Sequence, residues 1–92
     1  MLDEHVTLTD FSPERMFYLT LEQGDKIRIQ CDVTGEPIGF QLAKEPNTVI
    51  LIDKSDTLSF VEQWTVPSDG EYVFYVDTMG DHASVHLKVT KE

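Results

Sequence analysis

Along most of this chain apolar residues recur at every second position, in short runs broken by turn residues. Val6 and Leu8 alternate with Thr7 and Thr9. Phe17, Leu19 and Leu21 face one way, and Met16, Tyr18 and Thr20 the other. Ile27, Ile29, Cys31 and Val33 alternate with Arg28, Gln30 and Asp32, the cleanest such run in the chain. Ile38, Phe40 and Leu42 follow, and Ala83, Val85, Leu87 and Val89 come last, against outward Ser84, His86 and Lys88. A period of two is the signature of a strand that buries one face and solvates the other.

The stretch over residues 64–76 organises the rest. Trp64 and Val66 alternate with Thr65, and Pro67 ends the strand because it has no N–H for a ladder. Ser68-Asp69-Gly70 has turn chemistry, with Gly70 free to take a positive φ. Tyr72, Phe74 and Val76 then return on one face. Tyr72, two residues past a corner glycine, is expected to send its hydroxyl back to upstream backbone, as in the tyrosine corner of sandwiches.

Between the runs, residues 10–14 hold Ser12-Pro13 and form a loop, and residues 22–25 are expected to form a hairpin turn. Thr34-Gly35-Glu36-Pro37 is a turn and Glu45-Pro46-Asn47 a loop. Residues 53–56, Asp-Lys-Ser-Asp, form a further turn, and Thr78-Met79-Gly80-Asp81 closes a last hairpin. Two places break the alternation. Residues 49–52, Val-Ile-Leu-Ile, are continuously apolar, so either Val49 and Leu51 or Ile50 and Ile52 turn away from the core. In phase with Leu58 and Phe60, Glu62 points inward, which predicts a bulge or an edge position. Seven or eight short strands with no helical period predict an all-β fold. It is a single antiparallel β-sandwich, GOLD-like or jelly-roll, or immunoglobulin-like.

Ninety-two residues without a linker or repeat make one domain, residues 1–92. A net charge of −10 opposes binding to nucleic acid and to an anionic membrane surface, both of which need a cationic face. It suits a cation, a basic protein partner, solubility alone, or a salt-loving source. The single cysteine, Cys31, rules out an intramolecular disulfide. No apolar run approaches a membrane span, so direct membrane insertion of this segment is not expected. The opening residues lack the basic and apolar regions of a signal peptide. The domain is therefore either cytosolic, or cut from a longer exported chain and extracytoplasmic or lumenal.

Two resemblances follow from particular residues, and a third from the general appearance of the chain. Gly24-Asp25-Lys26-Ile27, Ile38-Gly39-Phe40-Gln41-Leu42, Trp64-Thr65-Val66-Pro67 with Gly70, Tyr72 and Phe74, and Val85, Leu87 and Val89 resemble the GOLD (Golgi dynamics) domain. That resemblance covers roughly residues 16–90 and implies a non-catalytic sandwich that binds proteins in trafficking or envelope components. Residues 27–37, from Ile27 through Cys31 to Gly35 and Pro37, with Asp69-Gly70-Glu71-Tyr72, are similar to an immunoglobulin-type domain, with Phe74 where the disulfide partner would stand. The chain also resembles the bacterial pre-peptidase C-terminal sandwich. All three imply a sandwich without catalysis.

Candidate chemistry is sparse. Cys31 shares phase with Ile27, Ile29 and Val33, so it is expected in the core rather than as a nucleophile. Along a strand His82 and His86 lie ~13 Å apart, too far to share a zinc ion. His5 is the remaining histidine, and a histidine metal site is not expected. No Ser-His-Asp set and no phosphate loop is suggested, and the chain is not expected to be an enzyme. Trp64 is either core or a sugar-stacking platform; its phase with Val66 and Phe60 favours core. If every strand crosses the sandwich, one end collects acidic turns, and Asp53, Asp56, Asp77 and Asp81 are calcium candidates there. Ordinary solvated turns are the plainer reading.

The expected function is a non-catalytic protein-interaction or structural module, with a calcium-dependent carbohydrate-binding module as the alternative and no other cofactor expected. If Phe17 and Tyr72 point inward, Tyr18, Val73 and Tyr75 point outward. These three are the candidate surface for a protein partner or for self-association.

Overall fold

Each alternating run becomes a strand in the computed structural model, which describes residues 1–45, 49–78, 80 and 82–92. In order these are β1 (Leu2–Thr9), β2 (Glu14–Leu21), β3 (Lys26–Gly35), β4 (Ile38–Lys44), β5 (Val49–Thr57), β6 (Phe60–Thr65), β7 (Gly70–Thr78) and β8 (His82–Lys91), with no helix among the described residues. Two four-stranded antiparallel sheets form, ordered β1-β8-β3-β6 and β2-β7-β4-β5. The chain changes sheet at every connection except β4 to β5, which is the order of an eight-stranded jelly roll. The immunoglobulin arrangement, in which the first two strands pair, is not the one found: β1 and β2 lie in different sheets.

Two expected hairpins are therefore corners. Residues 22–25 join β2 to β3 across the sandwich, and β7 and β8 also lie in different sheets. The 22–25 corner is held by the loop before β7. Gly24 N–H donates to Val66 O at 2.8 Å, Val66 N–H to Asp25 O at 2.8 Å, and Gln23 N–H to Asp69 Oδ1 at 2.7 Å. β3 ends at Gly35, whose φ of +102° favours glycine and where a Cβ would lie 2.9 Å from His82 O.

The core lies between the sheets and is built from the predicted inward sets. Leu8, Ile27, Ile29, Cys31, Leu87 and Val89 come from one sheet, and Leu21, Ile38, Phe40, Leu42, Tyr72, Phe74 and Val76 from the other. Edge-on aromatic pairs cross the interface, Phe40 with Phe60 at 5.1 Å and Trp64 with Tyr72 at 5.5 Å. Tyr72 is fully buried and its hydroxyl donates to Ser68 O at 2.5 Å, the expected tyrosine corner. Glu62 takes the edge position, with no bulge: β6 ends its sheet, and Glu62 reaches Lys54 of β5 at 2.8 Å across the seam between the two edge strands.

β5 departs from both expectations made for it. Residues 53–56 are not a turn but lie within the strand. β5 slips against β4 twice, between the pairs Ile38↔Thr57 and Phe40↔Lys54, and between Leu42↔Ile52 and Ala43↔Ile50. Each slip places an extra residue on β5, which breaks its period of two. Asp56 takes a φ of 54° in the first slip. The second leaves Val49 and Ile50 both exposed while Leu51 and Ile52 both pack against the core, so neither expected alternation of this run holds.

Candidate functional site

The central strands of the second sheet carry small residues on their outer face. Register places Tyr18 beside Val73 and Val73 beside Ala43, and Met16 beside Tyr75 and Tyr75 beside Gln41. Gly39 sits beside Asp77, close enough that a Cβ on Gly39 would collide with Asp77 Oδ1. Larger Met16, Tyr18 and Tyr75 stand around this low centre. The result is a depression of about 380 Å³ lined by Met16, Gln41, Ala43, Val73, Tyr75 and Asp77. A smaller one of about 120 Å³ continues from it, sharing Gln41, Tyr75 and Asp77 and adding Gly39, Phe40, Asp53, Lys54 and Ser55.

Tyr18, Val73 and Tyr75 thus share one face of one sheet. Tyr18 is half exposed and Tyr75 partly buried. Val73 needs a correction: it points away from the core as expected, yet it is only 3% exposed. β7 is an inner strand, so its short valine is flanked from both sides, by Tyr18 and Ala43 in register. Val73 forms floor rather than rim. Met16, with 47% exposure, and Ile50, beside Ala43, extend the apolar surface.

Carboxylates surround that apolar centre. Glu14, Glu71 and Asp77 share the outward phase of their strands, and Asp53 lies beside Gln41, whose Nε2 donates to its Oδ1 at 3.5 Å. Among the described residues the register places no lysine or arginine in this outward set, although Lys54, paired with Glu62, also lines the smaller depression. Tyr75 donates its hydroxyl to Glu14 Oε2 at 2.5 Å. That bond, then partial burial and the nearby Asp77 charge, push the phenol pKa well above its usual value of 10. Tyr75 is a neutral donor held by an acidic rim.

The three described calcium candidates do not meet at a loop end. Asp53 is inside β5, Asp56 is at the β5 slip, Asp77 lies over Gly39 in β7, and Asp81 falls outside the described residues. Asp53 and Asp77 both border the smaller depression. Trp64 is partly buried against the core and turned edge-on to Tyr72, the alternative its phase favoured over a sugar platform. Cys31 is fully buried, as expected, and burial pushes its thiol up to about 12.

Sequence reasoning missed a cluster on the outer face of the other sheet. His5 stacks on His86 with ring centres 3.9 Å apart and planes at 17°. His86 Nε2 lies 2.5 Å from Asp3 Oδ1, a bond that holds the Asp3 carboxyl below its usual pKa. The distance from His82 to His86 along β8 was the wrong distance. The relevant partner stands across the ladder on β1, and only the pairing of the first strand with the last discloses it.

No protein-family model matches the chain, and neither does any curated protein. Solved structures do share its fold. The pre-peptidase C-terminal domain of a collagenase from Bacillus anthracis matches with a TM-score of 0.81 at 13% identity, over 97% of this chain and 88% of that one. PliG of Aeromonas hydrophila, a periplasmic inhibitor of g-type lysozyme, matches with a TM-score of 0.65 at 17% identity, over 99% of this chain and 83% of its own. PliG of Salmonella Typhimurium, a periplasmic inhibitor of the same lysozyme type, matches at 0.55 and 14% identity, over 97% and 85%. At these identities the likeness is one of fold.

Proposed function

We propose that this chain is a non-catalytic, protein-binding β-sandwich of an exported protein, and that its partner is a basic protein docked on the outer face of the β2-β7-β4-β5 sheet. The carrying observation is the depression with Ala43 and Val73 at its floor, bordered by Met16, Gln41, Tyr75 and Asp77, with half-exposed Tyr18 beside Val73. A concave surface of mixed polar and apolar character suits a non-obligate protein interface, and tyrosine is a favoured anchor type there. The charge of −10 and the acidic rim favour a cationic partner and oppose docking a second copy of the same face. The periplasmic lysozyme inhibitors with this fold support a protein partner and a place outside the cytoplasm.

The double substitution Tyr18→Ser with Tyr75→Ser tests this, because neither side chain belongs to the core. We expect a folded variant whose affinity for the partner falls by about 30-fold or more, the scale of a lost hot spot. A folded double variant that binds as well as the wild type contradicts the proposal. So does one that dimerises less but binds partner unchanged.

A calcium-dependent carbohydrate-binding role is the second reading. What keeps it in view is that Asp53 and Asp77 flank one depression. Millimolar calcium should then raise Tm more than magnesium or a matched monovalent salt. Equal effects of all three would remove it.

A further inference from the structure

On the opposite side of the molecule, the outer face of the β1-β8-β3-β6 sheet holds a depression of about 340 Å³. Antiparallel register puts His5 directly opposite His86, and His86 directly opposite Asp32, so one rung across three adjacent strands carries all three. Asp3, two residues before His5, shares the face and sits diagonally to His86. The donor atoms of Asp3, His5 and His86 all lie within 4.8 Å of one another. On the far side of the His86 ring, Nδ1 lies 4.0 Å from Asp32 Oδ2, and Asp32 is itself held by Gln30 Nε2 at 3.2 Å.

We propose that Asp3, His5 and His86 form a binding site for a divalent transition metal of the zinc type, with Asp32 orienting His86. The donor set is two imidazoles and a carboxylate, which suits zinc rather than the all-oxygen preference of calcium. Zinc bonds of about 2.0–2.2 Å at tetrahedral angles place donors ~3.3 Å apart. Asp3 Oδ1 and His86 Nε2 are closer, at 2.5 Å, the distance of a hydrogen bond. The ion replaces that bond, any proton in it passes to solvent, and the two atoms separate by less than an ångström. His5, an exposed side chain, turns out of its stack to bring one ring nitrogen onto the ion. Water completes the coordination.

Asp32 supplies a second feature of a metal site. A ligating histidine commonly gives its other N–H to a carboxylate, which fixes the tautomer and raises the basicity of the ligating nitrogen. At 4.0 Å the Asp32 carboxylate is one small rotation, or one bridging water, from that bond. An ordinary surface ion pair accounts for Asp3 with His86. It does not account for His5 in the same rung or for a tethered carboxylate behind the ring. The bound ion would also clamp β1, an edge strand, to β8.

The test is zinc titration of the untagged chain by calorimetry, with Tm measured in parallel. We expect one ion per chain and, at saturation, a Tm rise of about 4 °C or more that a chelator reverses. His5→Ala and His86→Ala should each abolish the response, Asp32→Asn should weaken affinity ~10–100-fold, and His82→Ala should leave it intact. The altered side chains are exposed or half-buried, and calorimetry reads binding whatever each variant's own Tm. No binding by the wild type overturns the proposal. So does zinc binding that survives the His5→Ala, His86→Ala double substitution, or one ion shared by two chains.

Discussion

Cys31 and Tyr75 show how two side chains of one sandwich titrate in opposite settings. Cys31 is sealed in β3, and burial, then the nearby Asp32 charge, raises its thiol to about 12. Thiol reagents should therefore modify native protein only at the rate of unfolding, and rapid labelling of folded protein would contradict that placement. Tyr75 keeps its proton because Glu14 accepts its hydrogen bond. A folded-state pKa raised above the unfolded value gives stability that is full below about pH 10 and is lost as pH rises through the folded pKa. The stability of wild type should thus fall more steeply above pH ~10 than that of Tyr75→Phe; parallel curves would mean that the bond to Glu14 does not persist in solution. Tyr72→Phe removes the bond to Ser68 O and should cost about 1 kcal/mol in denaturant unfolding. Phase alone tells which way Tyr72, Val73 and Tyr75 point. It does not tell that Val73 is covered, because coverage comes from Tyr18 and Ala43 on neighbouring strands.

At the level of strands, what sequence discloses is alternation, and alternation is local. Seven of the eight strands are legible in it, from Val6 and Leu8 to Val89, and β5 shows instead as a continuous apolar run. Pairing is not, because a four-residue corner between sheets and a four-residue hairpin use the same turn chemistry. Residues 22–25 look like a hairpin and are a corner. The same limit hides His5 from His86, which become neighbours only when β1 pairs with β8. β5 fails for another reason. Its two slips against β4 move residues 49–56 out of phase, so an acidic tetrapeptide that resembles a turn continues a strand. β5 is also an edge strand with Val49 and Ile50 exposed, a template for unwanted pairing. Ile50→Lys should lower self-association at high concentration and change unfolding free energy by no more than about 0.5 kcal/mol. A larger loss of stability would show that Ile50 packs.

Over the whole molecule, two sheets share one apolar interior and present two unlike outer faces. One bears His5, His86 and Asp32 in a rung; the other bears a tyrosine-flanked depression in an acidic field. The fold is shared with a collagenase domain and with lysozyme inhibitors, and one fold serves unlike functions through the sites set on it. One of the three resemblances in the sequence, the pre-peptidase C-terminal sandwich, is met among solved structures. Site-specific photo-crosslinking tests most directly which face meets the partner. A photoreactive phenylalanine analogue is placed at Tyr18 on one face, or at Arg28 on the other, and each folded protein is exposed to the extracytoplasmic fraction of its source. The account predicts a protein adduct from position 18, weakened by salt and absent from position 28. An adduct from position 28, with none from position 18, would contradict it.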